Sequence, residues 1–133
     1  MSSSQGILFL RNENEEFKWF EHGDEDKDGK YVVEIEYGEP NGQGTYTLPD
    51  GTMYEGEFKE GYPNGQGTET YPVGKTFIGE FKDGKKDGQG TFIFPEGRKY
   101  VGEFMDGKRW KGTMYYKDGK IKNIYVNGKR TEP

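Results

Sequence analysis

Residues 54–59 read Tyr-Glu-Gly-Glu-Phe-Lys, with ring and glycine positions alternating with charged ones. Side chains alternate faces along a strand, so Tyr54, Gly56 and Phe58 share one side and Glu55, Glu57 and Lys59 the other. The phrase returns as Phe77, Gly79, Phe81 against Ile78, Glu80, Lys82, and again as Tyr100, Gly102, Phe104 against Val101, Glu103, Met105. A second alternating run follows each phrase. Gly44, Tyr46 and Leu48 oppose Thr45 and Thr47, and Gly90, Phe92 and Phe94 oppose Thr91 and Ile93. Glu69 breaks the rule, standing where Tyr46 and Phe92 stand in the neighbouring units. The pattern predicts β-hairpins forming a sheet with one aromatic-and-glycine face and one polar face.

The hairpins recur at a fixed step. The triplet Gly-Gln-Gly begins at Gly42, Gly65 and Gly88, 23 residues apart each time. On that step the chain divides into an N-terminal β cap with an acidic turn (1–30) and a repeat region (31–122). The region holds four units, 31–53, 54–76, 77–99 and 100–120, and a terminal half unit and tail follow at 121–133. The fourth unit is one residue short in its middle loop. A constant period of this length predicts a stacked array in which each unit contacts mainly its neighbours. Leu48-Pro49-Asp50-Gly51, Tyr71-Pro72-Val73-Gly74 and Phe94-Pro95-Glu96-Gly97 have the composition of turns. At the other end of each hairpin, Asn41-Gly42, Asn64-Gly65 and Asp87-Gly88 are expected to form the tight turn. The second glycine of the triplet then starts a strand, where a missing side chain lets a ring lie over the backbone. A phosphate cradle would need a helix after the glycines, and no segment here has helical periodicity.

The pattern Tyr-x-Gly-x-Phe-x-x-Gly followed by Gly-x-Gly resembles the MORN repeat (membrane occupation and recognition nexus). It stands here as Tyr54, Gly56, Phe58, Gly61, Gly65, Gly67, then as Phe77, Gly79, Phe81, Gly84, Gly88, Gly90, and lastly as Tyr100, Gly102, Phe104, Gly107, Gly112. Unit 1 departs with Val33 and Ile35, and unit 4 has Trp110-Lys111-Gly112 in place of Gly-Gln-Gly. The resemblance implies an all-β fold: an elongated, single-layer, twisted antiparallel sheet of stacked hairpins with an open groove along one face. It also raises membrane association as a possible role.

Composition narrows the chemistry. Only 29% of residues are hydrophobic, yet 16% are aromatic and these fall in register, so a thin structure with one aromatic seam is expected rather than a large core. There is no cysteine, His22 is the only histidine, and serine occurs only at Ser2, Ser3 and Ser4. A Ser–His or Cys–His nucleophilic pair has almost nothing to be built from, nor has a zinc site. The expectation is no enzyme and no cofactor. Asp24, Asp26 and Asp28 imitate the start of a calcium loop, but Ile35 falls where the bidentate Glu belongs and the flanks read as strands, so a solvated acidic turn is the simpler reading. Recurring Glu57, Glu80 and Glu103 are expected to face lysines on neighbouring strands. The opening MSSSQGILFL lacks a basic leader and a proper apolar stretch, which makes the cytoplasm the default location.

Charge is unevenly spread. Residues 1–97 carry a net −11 and residues 98–133 a net +6, against −5 overall. The basic end, with Lys108, Arg109, Lys111, Lys117, Lys120 and Lys122, could meet an acidic protein, an anionic membrane or the acidic end of another copy. Anionic lipid is the weaker candidate because most of the chain is acidic, and a pI near 5.0 argues against nucleic acid. On the other face, Tyr54, Phe58, Phe77, Phe81, Phe92, Phe94, Tyr100 and Phe104 are expected to line a partly accessible groove, unless twist closes it and leaves them as core. The leading expectation is a non-catalytic protein–protein scaffold that binds a partner segment in this groove or self-associates. The alternative is a peripheral membrane adaptor working through the basic end.

Overall fold

A computed structural model describes residues 4–132; Met1, Ser2, Ser3 and Pro133 lie outside the described residues, and with them two of the three serines weighed as nucleophiles. Twelve strands form one open antiparallel sheet: β1 (Ser4–Glu13), β2 (Glu16–Phe20), β3 (Gly29–Glu36), β4 (Glu39–Thr47), β5 (Met53–Lys59), β6 (Tyr62–Thr70), β7 (Thr76–Lys82), β8 (Lys85–Ile93), β9 (Lys99–Met105), β10 (Lys108–Tyr115), β11 (Ile121–Val126) and β12 (Lys129–Thr131). From β3 onward each strand pairs with the next in sequence. At the N-terminal end β1 lies between β2 and β3, so the cap is a hairpin joined to the first unit.

Three lanes cross the aromatic face. The first is a glycine lane, in which Gly44, Gly56, Gly67, Gly79, Gly90, Gly102 and Gly112 are successive cross-strand partners. A methyl group on Gly90 would sit 2.5 Å from Cε1 of Phe77, so bare backbone here is what lets the ring lie down. Val33 and Tyr125 occupy the lane's two ends, pairing with Gly44 and Gly112, so the end units fill the slot that inner units leave empty. Rings flank the lane on both sides. Tyr54 meets Phe58 and Phe81, Phe77 meets Phe81 and Phe104, and Tyr100 meets Phe104 and Tyr125, all near edge-on with centroids 4.9–5.5 Å apart. Edge-to-face pairs of this kind add about 0.5–1.5 kcal/mol each beyond the area they bury. Tyr54 and Tyr100 also donate hydroxyl hydrogen bonds of 2.7 Å to the carbonyls of Glu57 and Glu103.

The turns differ from expectation at one end. The proline-containing turns form as the sequence predicts, with Gly51 and Gly97 amides donating to Leu48 and Phe94 carbonyls at 3.0 Å. The tight turns, however, are Tyr37-Gly38, Glu60-Gly61, Asp83-Gly84 and Asp106-Gly107, with both residues at positive φ as a two-residue hairpin requires. Asn41-Gly42 and its counterparts lie inside the second strand, at a bulge. There the amides of Gln43, Gln66 and Gln89 donate to the carboxylates of Glu34, Glu57 and Glu80 at 2.7, 2.5 and 2.6 Å. Glu57 and Glu80 therefore clamp bulges rather than facing neighbouring lysines, whereas Glu103 has Lys111 as its cross-strand partner, as expected. Gly42, Gly65 and Gly88 have φ of 101–112°, and a side chain on Gly88 would run into the Glu80 carboxylate. The last three of these turns also bond to the unit before: Gly61, Gly84 and Gly107 amides donate to the carbonyls of Pro40, Pro63 and Lys86 at 2.8–2.9 Å. This bond repeats every 23 residues and ties hairpin to hairpin.

The cap follows the same plan. β1 and β2 turn at Asn14-Glu15, and Trp19 packs edge-on against Tyr31 at 4.8 Å.

Candidate partner-binding groove

Six of the eight rings expected to line an accessible groove are buried. Tyr54, Phe58, Phe77, Phe81, Tyr100 and Phe104 are each 5% exposed or less. Each of these rings packs against one of its own unit and one of an adjacent unit, so the rings cover one another without a second layer. Phe92 and Phe94 alone remain half-buried, with Leu48 and Tyr71 beside them. The groove is therefore an open margin of the aromatic face, and the central rings form its sealed foundation.

Two hollows lie in that margin. One, about 460 Å³, has a floor of Phe92, Phe94, Phe104 and Tyr125 and a rim of Lys75, Lys86, Lys108 and Arg109. The other, about 630 Å³, has Trp19, Tyr31, Tyr46 and Leu48 in its floor, with Glu39, Glu60 and Asp83 on its rim beside a single cation, Lys85. Between them stands Glu69. Its carboxylate accepts hydrogen bonds from the hydroxyls of Tyr46 and Tyr71, which explains how an acid is tolerated in the aromatic lane. Burial and the nearby Glu69 charge push both hydroxyls well above the ordinary tyrosine range, and burial pushes Tyr31 up to about 12.

Lys86 reaches over this cluster, its Nζ 5.0 Å from the Tyr71 ring centre, 5.5 Å from Phe77 and 5.8 Å from Phe92. Desolvation lowers its pKa, with Glu69 pulling the other way. Arg109 lies over Tyr125 at 5.0 Å. Neither was placed on the aromatic face by the sequence, because simple alternation fails across the bulge. The periodic signal existed in the alignment of units: Pro40, Pro63, Lys86 and Arg109 pair with Ile35, Phe58, Phe81 and Phe104.

The rest of the basic end does not converge there. Lys111 pairs with Glu103 on the opposite face, Lys117 packs against Gly97, Lys120 sits in the last long turn, and Lys122 donates to the Asn123 side chain at 3.2 Å. At the acidic turn, Asp28 is buried and accepts from Nε and Nη2 of Arg11 at 3.1 Å each and from the Asp24 amide at 2.9 Å. Arg11 holds its carboxyl below the usual carboxylate range. A guanidinium thus occupies the place a cation would take, and among the described residues no cluster of acids and histidines could hold a metal ion. His22 is exposed on the loop after β2.

A one-layer antiparallel sheet of hairpins, bonded unit to unit at a constant pitch and carrying a wet aromatic margin, defines an open β-repeat protein. A family model for the MORN repeat matches residues 34–53, 54–76, 77–97 and 100–121. The chain belongs to the MORN repeat family, whose repeats generally serve as protein- or membrane-interaction modules. No curated protein matches the chain. Among the described residues no helix is long and apolar enough to cross a membrane.

Proposed function

We propose that this chain is a non-catalytic scaffold that receives a segment of a partner protein along the open margin of its aromatic face. The observation that carries this reading is the pair of hollows on one face, in whose floors Trp19, Phe92 and Phe94 are only half-buried, Arg98 lying over Phe94. Apolar strips rimmed by charge are typical contact sites, and aromatic anchors dominate the energy of such contacts. The non-catalytic part is supported by the residue inventory: no cysteine, and one histidine lying on an exposed loop.

The test uses the half-buried rings, because substituting the sealed ones would unfold the sheet. Selection of displayed random peptides on the wild-type chain should recover binders that lose affinity on Phe94→Asp, while far-UV circular dichroism stays that of a sheet. Binders indifferent to both Phe94→Asp and Trp19→Ala would place binding elsewhere and reject the groove.

A further inference from the structure

One register position separates the two halves of the groove. Opposite Ile35 and Phe58 it holds Pro40 and Pro63, whereas opposite Phe81 and Phe104 it holds Lys86 and Arg109. The residue before it changes in the same sense, from Glu39 and Tyr62 to Lys85 and Lys108, of which Lys108 borders the hollow over units 3 and 4 and Lys85 faces the other one. With Lys75, four cations border the hollow over units 3 and 4, and no carboxylate lines it. None of Lys75, Lys86, Lys108 and Arg109 forms an ion pair among the described residues, although Arg98 and Lys30 elsewhere on the chain do. Lys86 is half-buried among rings and forms no ion pair, its charge offset only at longer range by Glu69, so a contacting anion would improve its surroundings.

We propose that this hollow receives an acidic segment of a partner protein, its carboxylates meeting Lys86 and Arg109 while an apolar or aromatic side chain lies on Phe92 and Phe94. The proposal rests on the groove reading above and adds the sign and place of the contact. β8 and β10 are separated by one strand, which sets their backbones about 10 Å apart, and carboxylates four residues apart on an extended chain share a face and span about that gap. The ring floor favours a peptide over free phosphate, which has nothing to lay on it. A flat anionic leaflet or a nucleic acid would also approach the first 97 residues, whose net charge of −11 repels it.

The test runs peptide-display selection on the full chain in parallel with two variants. Lys86→Glu/Arg109→Glu reverses the rim, and Lys86→Pro installs the residue that unit 2 carries at the same register, which keeps the backbone compatible. Vesicles containing phosphatidylserine form a separate arm. The wild type should recover peptides rich in Asp and Glu around an aromatic residue. Affinity should fall about tenfold or more on the reversal, fall less on Lys86→Pro, and weaken with salt. Neutral or basic binders, or binders equally held by both variants, would overturn the acidic assignment and leave the groove reading standing. Recovery of no peptide would overturn both. Vesicle binding lost in the same variants, with no acidic peptide recovered, would give the hollow to a membrane and overturn the proposal.

Discussion

The hollow over units 1 and 2 and the hollow over units 3 and 4 sit on the same backbone and carry opposite rims. In both, a lane of paired glycines runs under the rings, a glutamate clamps a bulge, and a turn amide bonds back to the previous hairpin. The first nonetheless presents Glu39, Glu60 and Asp83 against one cation, Lys85, and the second Lys75, Lys86, Lys108 and Arg109 with no carboxylate. Positions that fix the repeat are the same in both halves, whereas positions that the repeat leaves free carry the charge. Scaffold and specificity are thus separable in this chain, residue by residue.

The largest effect should come from breaking the part the halves share. Phe77→Ala removes a fully buried ring that touches Phe81 and Phe104, and should cost about 3–5 kcal/mol in a denaturant titration. Phe94→Ala, on the open margin, should cost about 1 kcal/mol while weakening peptide binding. Equal losses would erase the distinction between sealed and open rings.

A smaller effect belongs to the acidic half alone. Asp28, its carboxyl held low by Arg11, contributes stability that is present above its unfolded pKa of about 3.9 and is lost as pH falls through the folded value. Asp28→Asn should therefore melt below the wild type near neutral pH, and the gap should close as the solution is taken below about pH 4. A gap that stays constant through acid would mean that the Arg11 pairing contributes nothing.

The smallest lies at the junction between the halves. Val73 holds φ of 64°, a conformation that penalises a β-branched side chain, in the turn where units 1 and 3 place Asp50 and Glu96. Val73→Asn should raise stability by about 1 kcal/mol and leave peptide selection unchanged. An unchanged melting temperature would show the strain to be absent.

Much of this was legible in the residues. The 23-residue step fixed the stacking, and strict alternation placed Tyr54, Gly56 and Phe58 on one face because a paired strand allows nothing else. The tight turn was misplaced because Asn41-Gly42 is a stronger turn dipeptide than Glu60-Gly61. What decides the matter is the Glu34 or Glu57 carboxylate bonding across the strand, which needs the register to be known. The same bulge hid Lys86 and Arg109, since it shifts their face relative to a simple count. The sealing of Phe81 and Phe104 was likewise invisible along the chain, because it depends on stacking that brings the preceding unit's ring, Tyr54 or Phe77, edge-on. Glu69 was visible as an exception, but its two tyrosine donors come from Tyr46, one repeat earlier, and Tyr71, two residues on.

The central claim, an open margin beside a sealed aromatic foundation, is tested most directly by following side-chain and amide NMR signals while an acidic, aromatic-containing peptide is added. Shifts confined to Phe92, Phe94, Tyr71, Lys86 and Arg109, with Ile78 and Val101 on the opposite face unmoved, are the predicted result. Shifts centred on Ile78, Val101 and Glu55 instead would contradict it.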